Sequence, residues 1–498
     1  MTPEPSAAPH WDGRWLELPR DWGPRVALDL DGHWFCDIQA DGDGRLRLEL
    51  PFTPSGCRVV SPCIRAMRDG EVLWPAPGQA AEWRFAGTGF PARTVLAEAE
   101  PMQAEVVVVI PVFNAAAAVR ACLDSVLAHT TGRTRLLVID DASTDPAIAP
   151  LLARLEGRAG IRVLTNPRNL GFTATANRGI AEAADADVVL LNADTVVGPN
   201  WLTGLRRAVH CAADIATATA VSDNAGAFSV PELEQANPPP ADWSVEDTAR
   251  ALWQQAGQAY PELPTGNGFC LYIRRAVIDA VGVLDAEAFP QGYGEENDFC
   301  QRASARGWRH VIAGNVFVHH ARSQSFGDAR REALGRAGMA VLRARWPDYE
   351  RDVGATLFSY ARRVLDWRVR RCHALAARGW RPRPRLLALA PARALPAAFE
   401  AWPASERGDR LVIERTHAGG RFEEPVPADA AGLADWLEQA AIELIALGSD
   451  HGPAAAQLRV QAGRLGIAVV DDDALASTGD SGYTVALCAS RSFRDAIA

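Results

Sequence analysis

Between residues 106 and 191, short apolar runs alternate with helical patterns, and this alternation constrains the fold more than any other feature of the sequence. The run Val106–Val112 is continuously apolar, as expected of a strand buried on both faces of a parallel sheet. The patterns that follow are helix at 115–129, strand at 135–139, helix at 148–156, strand at 161–164, helix at 174–184 and strand at 188–191. Such an alternation predicts βαβ units and a mainly parallel sheet between helices.

The rest of the chain divides into segments of different character. At 498 residues the protein is too long for one ordinary domain. Residues 1–100 carry short alternating runs broken by Asp-Gly turns, which predict a β-rich accessory domain. The α/β pattern occupies residues 101–350, and residues 351–385 form a basic helical linker. Residues 386–498 alternate again, which predicts a small α/β domain without a chemical motif.

Two of the flanking segments allow alternative interpretations. The arginines of residues 351–385 form either a face that contacts anionic lipid or the surface of a solvated helix between two domains, and we favour the solvated helix. The six tryptophans of the N-terminal segment form either a sugar-stacking surface or packing in the core and rim of a small sandwich, and we favour packing. They are Trp11, Trp15, Trp22, Trp34, Trp74 and Trp83.

Charge, apolar run length and cysteine usage argue against several classes of protein. The net charge of −10 and the sequence pI of about 5.6 argue against a nucleic-acid-binding protein with a basic surface. No apolar run approaches the roughly 20 residues that a membrane span requires, and the first residues show no signal peptide. The nine cysteines form no CxxC pair, which favours reduced thiols and a cytoplasmic location.

Polar residues follow the predicted strands at their carboxyl ends, where parallel sheets bind ligands. The second strand is followed by Asp140 and Asp141, and the fourth by Asn192 and Asp194. Asp140 and the nearby Ser143 fit helix capping and turn formation as well as function. Carboxylates from several strand ends in one crevice would repel each other unless a cation or hydrogen-bond donors lay between them.

A divalent cation is the expected means of neutralising a bound diphosphate. The sequence contains neither G-x-G-x-x-G nor G-x-x-x-x-G-K-[ST], the glycine-rich loops that cradle phosphates. Mg²⁺ or Mn²⁺ held by Asp194 would serve instead, because both ions prefer oxygen ligands. His319 and His320 end a strand predicted at 311–318, and they are either satisfied core residues or a metal ligand.

Two adjacent carboxylates, Glu295 and Glu296, follow a glycine-flanked tyrosine just before a helix predicted at 298–306. They fit favourable electrostatics at a helix start. They also fit a general base for an acceptor hydroxyl, held at the mouth of the site.

Together these patterns resemble the family 2 glycosyltransferases with the GT-A fold, specifically the non-processive branch that makes bacterial surface polysaccharides. The blocks, in the family's order, are VVVVIPVFN, LLVIDDASTD, NPRNLGFTATANRGI, VVLLNADT and GYGEENDFCQRA, the last followed by VFVHHARSQSF. They lie between Val106 and Phe326. The resemblance implies a Rossmann-like, mainly parallel sheet sandwiched by helices, and a metal-dependent enzyme with a nucleoside-diphosphate sugar as donor.

The resemblance also implies a role for each matching residue. Asp194 would be a metal ligand together with His320, and Glu296, next to Glu295, would be the catalytic base. The residues implied in donor binding are Pro111 and Phe113 at the base pocket, Asp141 on the base, Asn169 and Gly171 near the ribose and diphosphate, Asn192 at the first DxD position, and Gly268 near the donor sugar.

Three departures from the family pattern qualify these roles. Asn192 stands where the DxD motif has its first Asp, which removes a charge and lowers the expected metal affinity. The phrase HHARSQSF lacks the glycine common after the histidine, so the choice between His319 and His320 stays open. The pair Arg345-Trp346 lacks the Gln of a QxxRW motif, which argues against a processive synthase.

We therefore predict an inverting transfer of a sugar from a UDP- or dTDP-sugar, with GDP not excluded, to a hydroxyl of a glycan or lipid-linked glycan. The expected location is the cytoplasm, with at most peripheral contact at the inner face of the membrane, and no nucleic-acid partner. One alternative is a non-catalytic scaffold or binding protein with a degenerate transferase fold. Another is a nucleotidyltransferase, although the first strand lacks a basic phosphate loop. A further expectation is that the C-terminal domain is the first half of a second transferase, because its end at residues 490–494 looks unfinished.

Overall fold

The protein forms an N-terminal group of antiparallel sheets, a large central sheet between helices, and a C-terminal mixed sheet. This architecture confirms the predicted α/β class. The computed structural model describes residues 8–11, 15–30, 32–49, 59–60, 62–67, 69–79, 81, 83–84, 104–257, 260–322, 328–389, 395–407, 410–417, 420–448 and 452–472. The suggestion about residues 490–494 falls outside these ranges.

The N-terminal strands are short and pair only with antiparallel neighbours. They are β1 (His10–Trp11), β2 (Trp15–Leu18), β3 (Arg25–Leu30), β4 (His33–Gln39), β5 (Leu46–Glu49), β6 (Val59–Val60), β7 (Pro62–Ala66), β8 (Val72–Trp74) and β9 (Trp83–Arg84). The sheet orders are β1-β2-β5, β4-β3-β7-β8 and β6-β9. Trp22 and Trp74 pack against the core, while Trp34 is 39% exposed with the Arg370 guanidinium over its ring.

The central sheet has eight strands in the order β12-β11-β10-β13-β16-β15-β17-β14. They are β10 (Val106–Val112), β11 (Thr134–Asp140), β12 (Ile161–Thr165), β13 (Asp187–Leu191), β14 (Thr195–Val197), β15 (Ile215–Val221), β16 (Cys270–Ile273) and β17 (Arg309–His320). The strands β10 to β13 are mutually parallel, and β16 pairs antiparallel with both of its neighbours. The carboxyl ends of β10, β11 and β13 therefore share one edge, where the polar residues follow.

Alternate residues of the buried strands face two different helical layers. Val106 and Val108 pack with α1, α2, α4 and α5, whereas Val107 and Val109 pack with α3, α6 and α7. These helices are α1 (Ala116–His129), α2 (Ile148–Ala153), α3 (Phe172–Glu182), α4 (Trp201–His210), α5 (Val245–Gln255), α6 (Arg275–Val281) and α7 (Glu295–Ser304). Coverage of both faces explains why the runs are continuously apolar.

The basic segment that the sequence assigned to a solvated linker is packed on both sides, so that interpretation is wrong. It contains helices α9 (Tyr349–Leu357) and α10 (Tyr360–Ala377), preceded by α8 (Asp328–Arg345). Arg362 is 1% exposed and donates to backbone carbonyls, and Arg370 forms an ion pair with Glu232 at 2.8 Å. Burial of its apolar stripes, rather than solvation, holds this segment in place. No helix of the described ranges is long and apolar enough to cross a membrane.

The C-terminal sheet has the order β21-β20-β19-β18-β22-β23. Its elements are β18 (Arg385–Leu389), β19 (Glu400–Arg407), β20 (Arg410–His417), β21 (Gly420–Pro425), α11 (Ala430–Gln439), β22 (Leu444–Leu447), α12 (Pro453–Leu465) and β23 (Ala468–Asp471). Both helices pack on one face of this sheet. Arg207 of α4 donates to the carbonyl of Leu465, and Arg250 of α5 pairs with Glu443 at 3.4 Å, so this sheet contacts the central one through polar groups.

Candidate active site

A cavity of about 500 Å³ opens at the carboxyl ends of the central strands. Its volume falls in the usual range of small-molecule sites, about 300–1,000 Å³. Every residue that the sequence pattern predicted for donor binding, metal binding or catalysis lines this cavity. They are Pro111, Phe113, Asp141, Asn169, Gly171, Asn192, Asp194, Gly268, Glu295, Glu296 and His320.

Hydrogen bonds connect the turns that follow β10 and β11 at the cavity. Asn114 accepts the backbone N–H groups of Thr144 and Asp145 at 2.8 and 2.9 Å, and its own N–H donates to Ser143 at 2.8 Å. A carboxylate oxygen of Asp140 accepts the N–H of Ser143 at 2.9 Å. Of the two roles left open for Asp140 and Ser143, the structure shows turn formation.

Asp141 is 4% exposed and organises the loop that borders the cavity. Its carboxylate accepts the side-chain amide of Asn166 at 2.7 Å and the backbone N–H groups of Leu170 and Gly171 at 2.8 and 2.9 Å. Gly171 has φ +84°, and a Cβ there would lie 2.3 Å from the carbonyl oxygen of Pro290. Only glycine fits this close approach, which brings the loop against residues just before Glu295.

Asp194 and His320 meet because β14 and β17 pair antiparallel, with Thr195 opposite His320. The Nε2 atom of His320 lies 3.4 Å from a carboxylate oxygen of Asp194. The Nδ1 atom of His320 lies 3.1 Å from the carbonyl of Asn224, and its ring stacks on Phe269 at 5.2 Å between centroids. A carbonyl can only accept, so Nδ1 of His320 donates to Asn224, and Nε2 is the ring nitrogen that faces Asp194.

Asp223 distinguishes the two histidines, and the sequence analysis missed it. Its carboxylate lies 2.6 Å from Nδ1 of His319 and accepts the backbone N–H of His320 at 3.1 Å. The hydrogen bond to Asp223 raises the pKa of His319. His320 lines the cavity, whereas His319 is held by Asp223. Asp223 follows the carboxyl end of β15, where ligand-binding residues are expected in such sheets. It was missed because the Ala/Thr-rich run of β15 was not recognised as a strand.

Glu295 and Glu296 lie in the first turn of α7, which begins at Glu295 rather than at the predicted residue 298. Gly294, with φ +142°, ends the preceding loop and allows the earlier start. Burial raises the pKa of Glu295 well above its usual value, and the charge of Glu296 adds to this effect. Burial also raises the pKa of Glu296, against opposing backbone hydrogen bonds and one from Glu295. Burial therefore raises the pKa of both carboxyl groups, and that of Glu295 more strongly.

One oxygen of Glu296, Oε2, is buried without a hydrogen-bond partner in the part of the chain that the structure describes. A buried acceptor of this kind costs free energy unless a ligand satisfies it. Glu296 also lines the cavity. The arrangement is suited to accepting a proton from a hydroxyl group bound there.

Other residues of the cavity were given no role in the sequence analysis. Arg322 brings a cation to the lining, and Tyr293 lies between two glycines with φ +70°, an uncommon backbone conformation for a bulky residue. Gln291 and Phe172 complete this side of the cavity. Ser325 and Phe326, which the resemblance included, lie outside the described residues.

A divalent cation fits the donor set in part. No group of three or more His, Cys, Asp or Glu side chains within the described ranges could hold a metal ion. Asp194 and His320 offer one oxygen and one nitrogen ligand at 3.4 Å from each other. Mg²⁺ is often bound by one or two carboxylates together with substrate phosphates, so two protein ligands suffice where a diphosphate supplies the rest.

Residues 107–282 match the profile of a family described as glycosyl transferase family 2. This segment is a family 2 glycosyltransferase domain. Its central sheet lies between two helical layers, the arrangement that the resemblance of the sequence to GT-A transferases predicts. Glu295, Glu296 and His320 lie beyond the matched residues, so their place in the site depends on the geometry described above.

Curated relatives are similar at low identity and only over part of their length. The chain is 24% identical over 261 residues to the uncharacterized protein y4gI of Sinorhizobium fredii (strain NBRC 101917 / NGR234), covering 49% of this chain and 28% of that protein. It is 32% identical over 92 residues to the uncharacterized glycosyltransferase YibD of Escherichia coli (strain K12), covering 18% of this chain and 26% of YibD. The matches span little more than a quarter of each of these relatives.

Solved structures are similar at low identity. A mannosyltransferase, PcManGT from Pyrobaculum calidifontis, in complex with GDP-Man and Mn²⁺, is 16% identical with a TM-score of 0.38, and the match covers 57% of this chain and 77% of that chain. GalNAc-T7 with UDP, GalNAc and Mn²⁺ is 16% identical with a TM-score of 0.37, covering 50% and 49%.

Proposed function

We propose that the protein is an inverting glycosyltransferase that moves a sugar from a nucleoside-diphosphate sugar to a hydroxyl of a glycan or lipid-linked glycan. One observation carries the proposal: the Asp194–His320 pair and the Glu295–Glu296 pair line the same cavity of about 500 Å³. The first pair suits a cation and a diphosphate, and the second suits a hydroxyl. Bacterial surface-polysaccharide synthesis in the cytoplasm is the biological setting that we propose from the sequence pattern.

The donor would bind along the strand ends. Pro111 and Phe113 would contact the base, and Asp141 would hold both the base and the loop that ends at Gly171. One carboxylate oxygen of Asp141 accepts the N–H of Gly171, and its second lone pair would accept a base N–H. UDP and dTDP sugars both offer such an N–H, and we propose these donors.

Asp194 and His320 would hold a divalent cation together with the donor's diphosphate, with Asn192 beside them. When bound, the cation stabilises negative charge on the departing nucleoside diphosphate. The hydrogen bond from Nδ1 of His320 to the carbonyl of Asn224 orients the ring, so that Nε2 would face the cation. Arg322 adds a positive charge to the same cavity.

Glu296 would accept the proton of the acceptor hydroxyl while that oxygen attacks the anomeric carbon. Its raised pKa brings its basicity closer to that required near neutral pH. Glu295, whose pKa burial raises well above its usual value, would stay protonated beside Glu296 and so add no second negative charge to the site. A single displacement of this kind inverts the configuration of the sugar.

Transfer and hydrolysis of a panel of UDP-, dTDP- and GDP-sugars, followed by mass spectrometry with and without chelator, test the proposal. We expect Glu296→Gln to keep donor binding and to lower turnover by about 10²–10⁴-fold. Glu287→Gln, the same change at an exposed loop residue, is the matched control and should stay at the wild-type rate.

A second pair of variants tests whether Asp194 is a metal ligand. Asp194→Ala should lose the part of nucleotide affinity that depends on Mn²⁺, whereas Asp185→Ala, at an exposed position, should keep it. Wild-type turnover in Glu296→Gln would remove the base from the proposal. Inactivity of the wild type toward every donor would instead favour a non-catalytic binding protein.

A further inference from the structure

Helix α8 presents one face to the loop and helix that carry the proposed base. Gly338, Leu342, Arg345 and Trp346 are spaced by four, three and one residues, which places them on one side of the helix. A Cβ at Gly338 would lie 1.8 Å from the carbonyl oxygen of Tyr293, so the two backbones are in direct contact. Leu342 is fully buried in the same apolar cluster as Phe289.

Asp298 is the polar centre of this contact. It is 1% exposed and lies in the first turn of α7, the turn that also carries Glu295 and Glu296. Its carboxylate accepts Nε of Arg302 at 2.8 Å, Nη1 of Arg345 at 3.1 Å and Nε1 of Trp346 at 3.1 Å. Three N–H donors on one buried carboxylate fix the direction of the first turn of α7.

One nitrogen of Arg345, Nη1, contacts both ends of the loop at 285–294, which lines part of the cavity. Nη1 lies 2.9 Å from Asp285, where the loop starts, and 3.1 Å from Asp298, just after the loop ends. The guanidinium also lies over the ring of Phe289, 5.9 Å from its centroid. Asp298, Arg345 and Trp346 do not line the cavity themselves, so they can act on a substrate only through the residues that do.

We propose that Asp298 is a positioning residue for the Glu295–Glu296 pair, and that Arg345 and Trp346 anchor it to α8. This inference rests on the proposed function and names the part of the molecule that holds the base in place. It gives the Arg345-Trp346 pair a role that does not require a complete QxxRW motif. A small displacement of the base lowers the rate far more than it lowers donor affinity, because the donor is bound elsewhere in the cavity.

Steady-state kinetics of five variants, measured with the best donor of the panel, test the inference. Arg345→Met removes the bridging cation, and we expect kcat to fall about 10- to 100-fold with donor KM within twofold of wild type. Arg345→Lys should recover most of kcat, because one nitrogen makes both carboxylate contacts in the wild type. Trp346→Phe keeps an aromatic ring and loses only the N–H, so we expect a smaller fall in kcat.

The matched control is Arg343→Met on the same helix. Arg343 is 61% exposed and pairs with Glu350 at 2.7 Å, so the variant removes a surface ion pair and should keep wild-type kcat. Asp298→Asn is the stronger but riskier change, since its site is buried. If it does not fold, the Arg345 series still decides the question, because that side chain is 40% exposed.

Unchanged kcat in Arg345→Met would overturn the inference, and so would a loss of kcat that Arg345→Lys does not rescue. A parallel loss of donor affinity would also overturn it, because that result indicates general damage to the fold. The proposed function fails on a different result, namely wild-type turnover in Glu296→Gln. Loss of turnover in Glu296→Gln without loss in Arg345→Met would leave that function standing and remove only the positioning role.

Discussion

Glu295 and Glu296 show burial prevailing over the local electrostatics of a helix start. The first turn of a helix favours negative charge, and the N–H of Gly294 donates to Glu295 at 3.1 Å, which lowers the pKa of that carboxyl. Glu295 is nevertheless 3% exposed, and burial together with its charged neighbour raises the pKa well above the usual value. The residue is therefore protonated at a pH where an exposed glutamate is ionised.

Replacement of Glu295 by Gln should stabilise the protein increasingly as the pH rises. Because the pKa is raised on folding, the stability that Glu295 contributes is complete below its unfolded pKa and is lost as the pH rises through the folded value. Gln mimics the protonated acid at every pH. We expect the Tm of Glu295→Gln relative to wild type to be higher at pH 9 than at pH 5, with each unit of raised pKa worth about 1.4 kcal/mol.

The exposed Glu287→Gln variant should show no such trend between the two pH values, since it removes the same charge without relieving burial. A constant Tm difference for Glu295→Gln across this range would mean that Glu295 is already ionised in the folded protein.

The sequence predicted individual residues where one strand end carries its own signal. Asp194 and Glu296 stand out in the chain as carboxylates beside recognisable patterns, and both line the cavity. Asp223 and Arg322 did not stand out, because their positions depend on pairing between β15 and β17, which are distant in sequence. The choice of His320 over His319 depended on which face of β17 each occupies, and only the sheet determines that.

Among the elements, helix α10 is hydrogen-bonded to the loop at 222–230, and this loop contacts His320. Arg362 donates to the carbonyls of Ala227 and Ser229, at 2.5 Å each, and forms an ion pair with Asp366 at 3.0 Å. The same loop contains Asn224, which holds the ring of His320. Burial raises the pKa of Asp366 to about 6 despite its paired cation.

Arg362→Met should destabilise the protein by about 3–5 kcal/mol, because it leaves a buried carboxylate and two carbonyls without their donor. We also expect Mn²⁺ affinity to fall about tenfold or more through the loosened Asn224 contact. Thermal unfolding and calorimetric Mn²⁺ titration measure the two effects.

The double variant with Asp366→Asn should be more stable than Arg362→Met alone, and Arg378→Met, at the exposed end of α10, should match wild type. Undiminished Mn²⁺ affinity in Arg362→Met would separate this loop from the metal site.

Prediction of strands from the sequence succeeded for strands with long buried apolar runs. It failed for strands whose conformation depends on hydrogen bonds to neighbouring strands. The strands β10, β11 and β13 were predicted within one residue at each end, because their buried apolar runs face helices on both sides. The edge strand β12 was predicted as closely, although its side chains are half-buried or exposed. The strands β19 and β21 contain several charged residues and proline, and they were missed. Their strand conformation comes from the antiparallel ladder with β20, which local composition does not encode.

At the scale of the whole molecule, α10 belongs to two cores at once. Val364 and Trp367 complete the apolar cluster of the N-terminal strands, while Leu365, Val369 and Cys372 belong to the core of the central sheet. Trp367 is fully buried, and its indole N–H donates to the carbonyl of Leu30 at 3.0 Å. The N-terminal sheets therefore share their core with a helix more than 300 positions further along the chain.

Deletions at the two ends should consequently have unequal effects. A chain starting at residue 104 exposes the stripe of Val364 and Trp367, and we expect aggregation or strong binding of the dye ANS. A chain ending at residue 383 lacks the C-terminal sheet together with α11 and α12. Among the described residues, the apolar clusters of this part contain only side chains from beyond residue 383. Its contact with the central sheet includes the hydrogen bond of Arg207 and the ion pair of Arg250, so this shorter chain should stay monodisperse in size-exclusion chromatography and fold cooperatively. If instead the chain starting at residue 104 were the better behaved of the two, α10 would be stable without its N-terminal partner, and the shared core would contribute little to the fold.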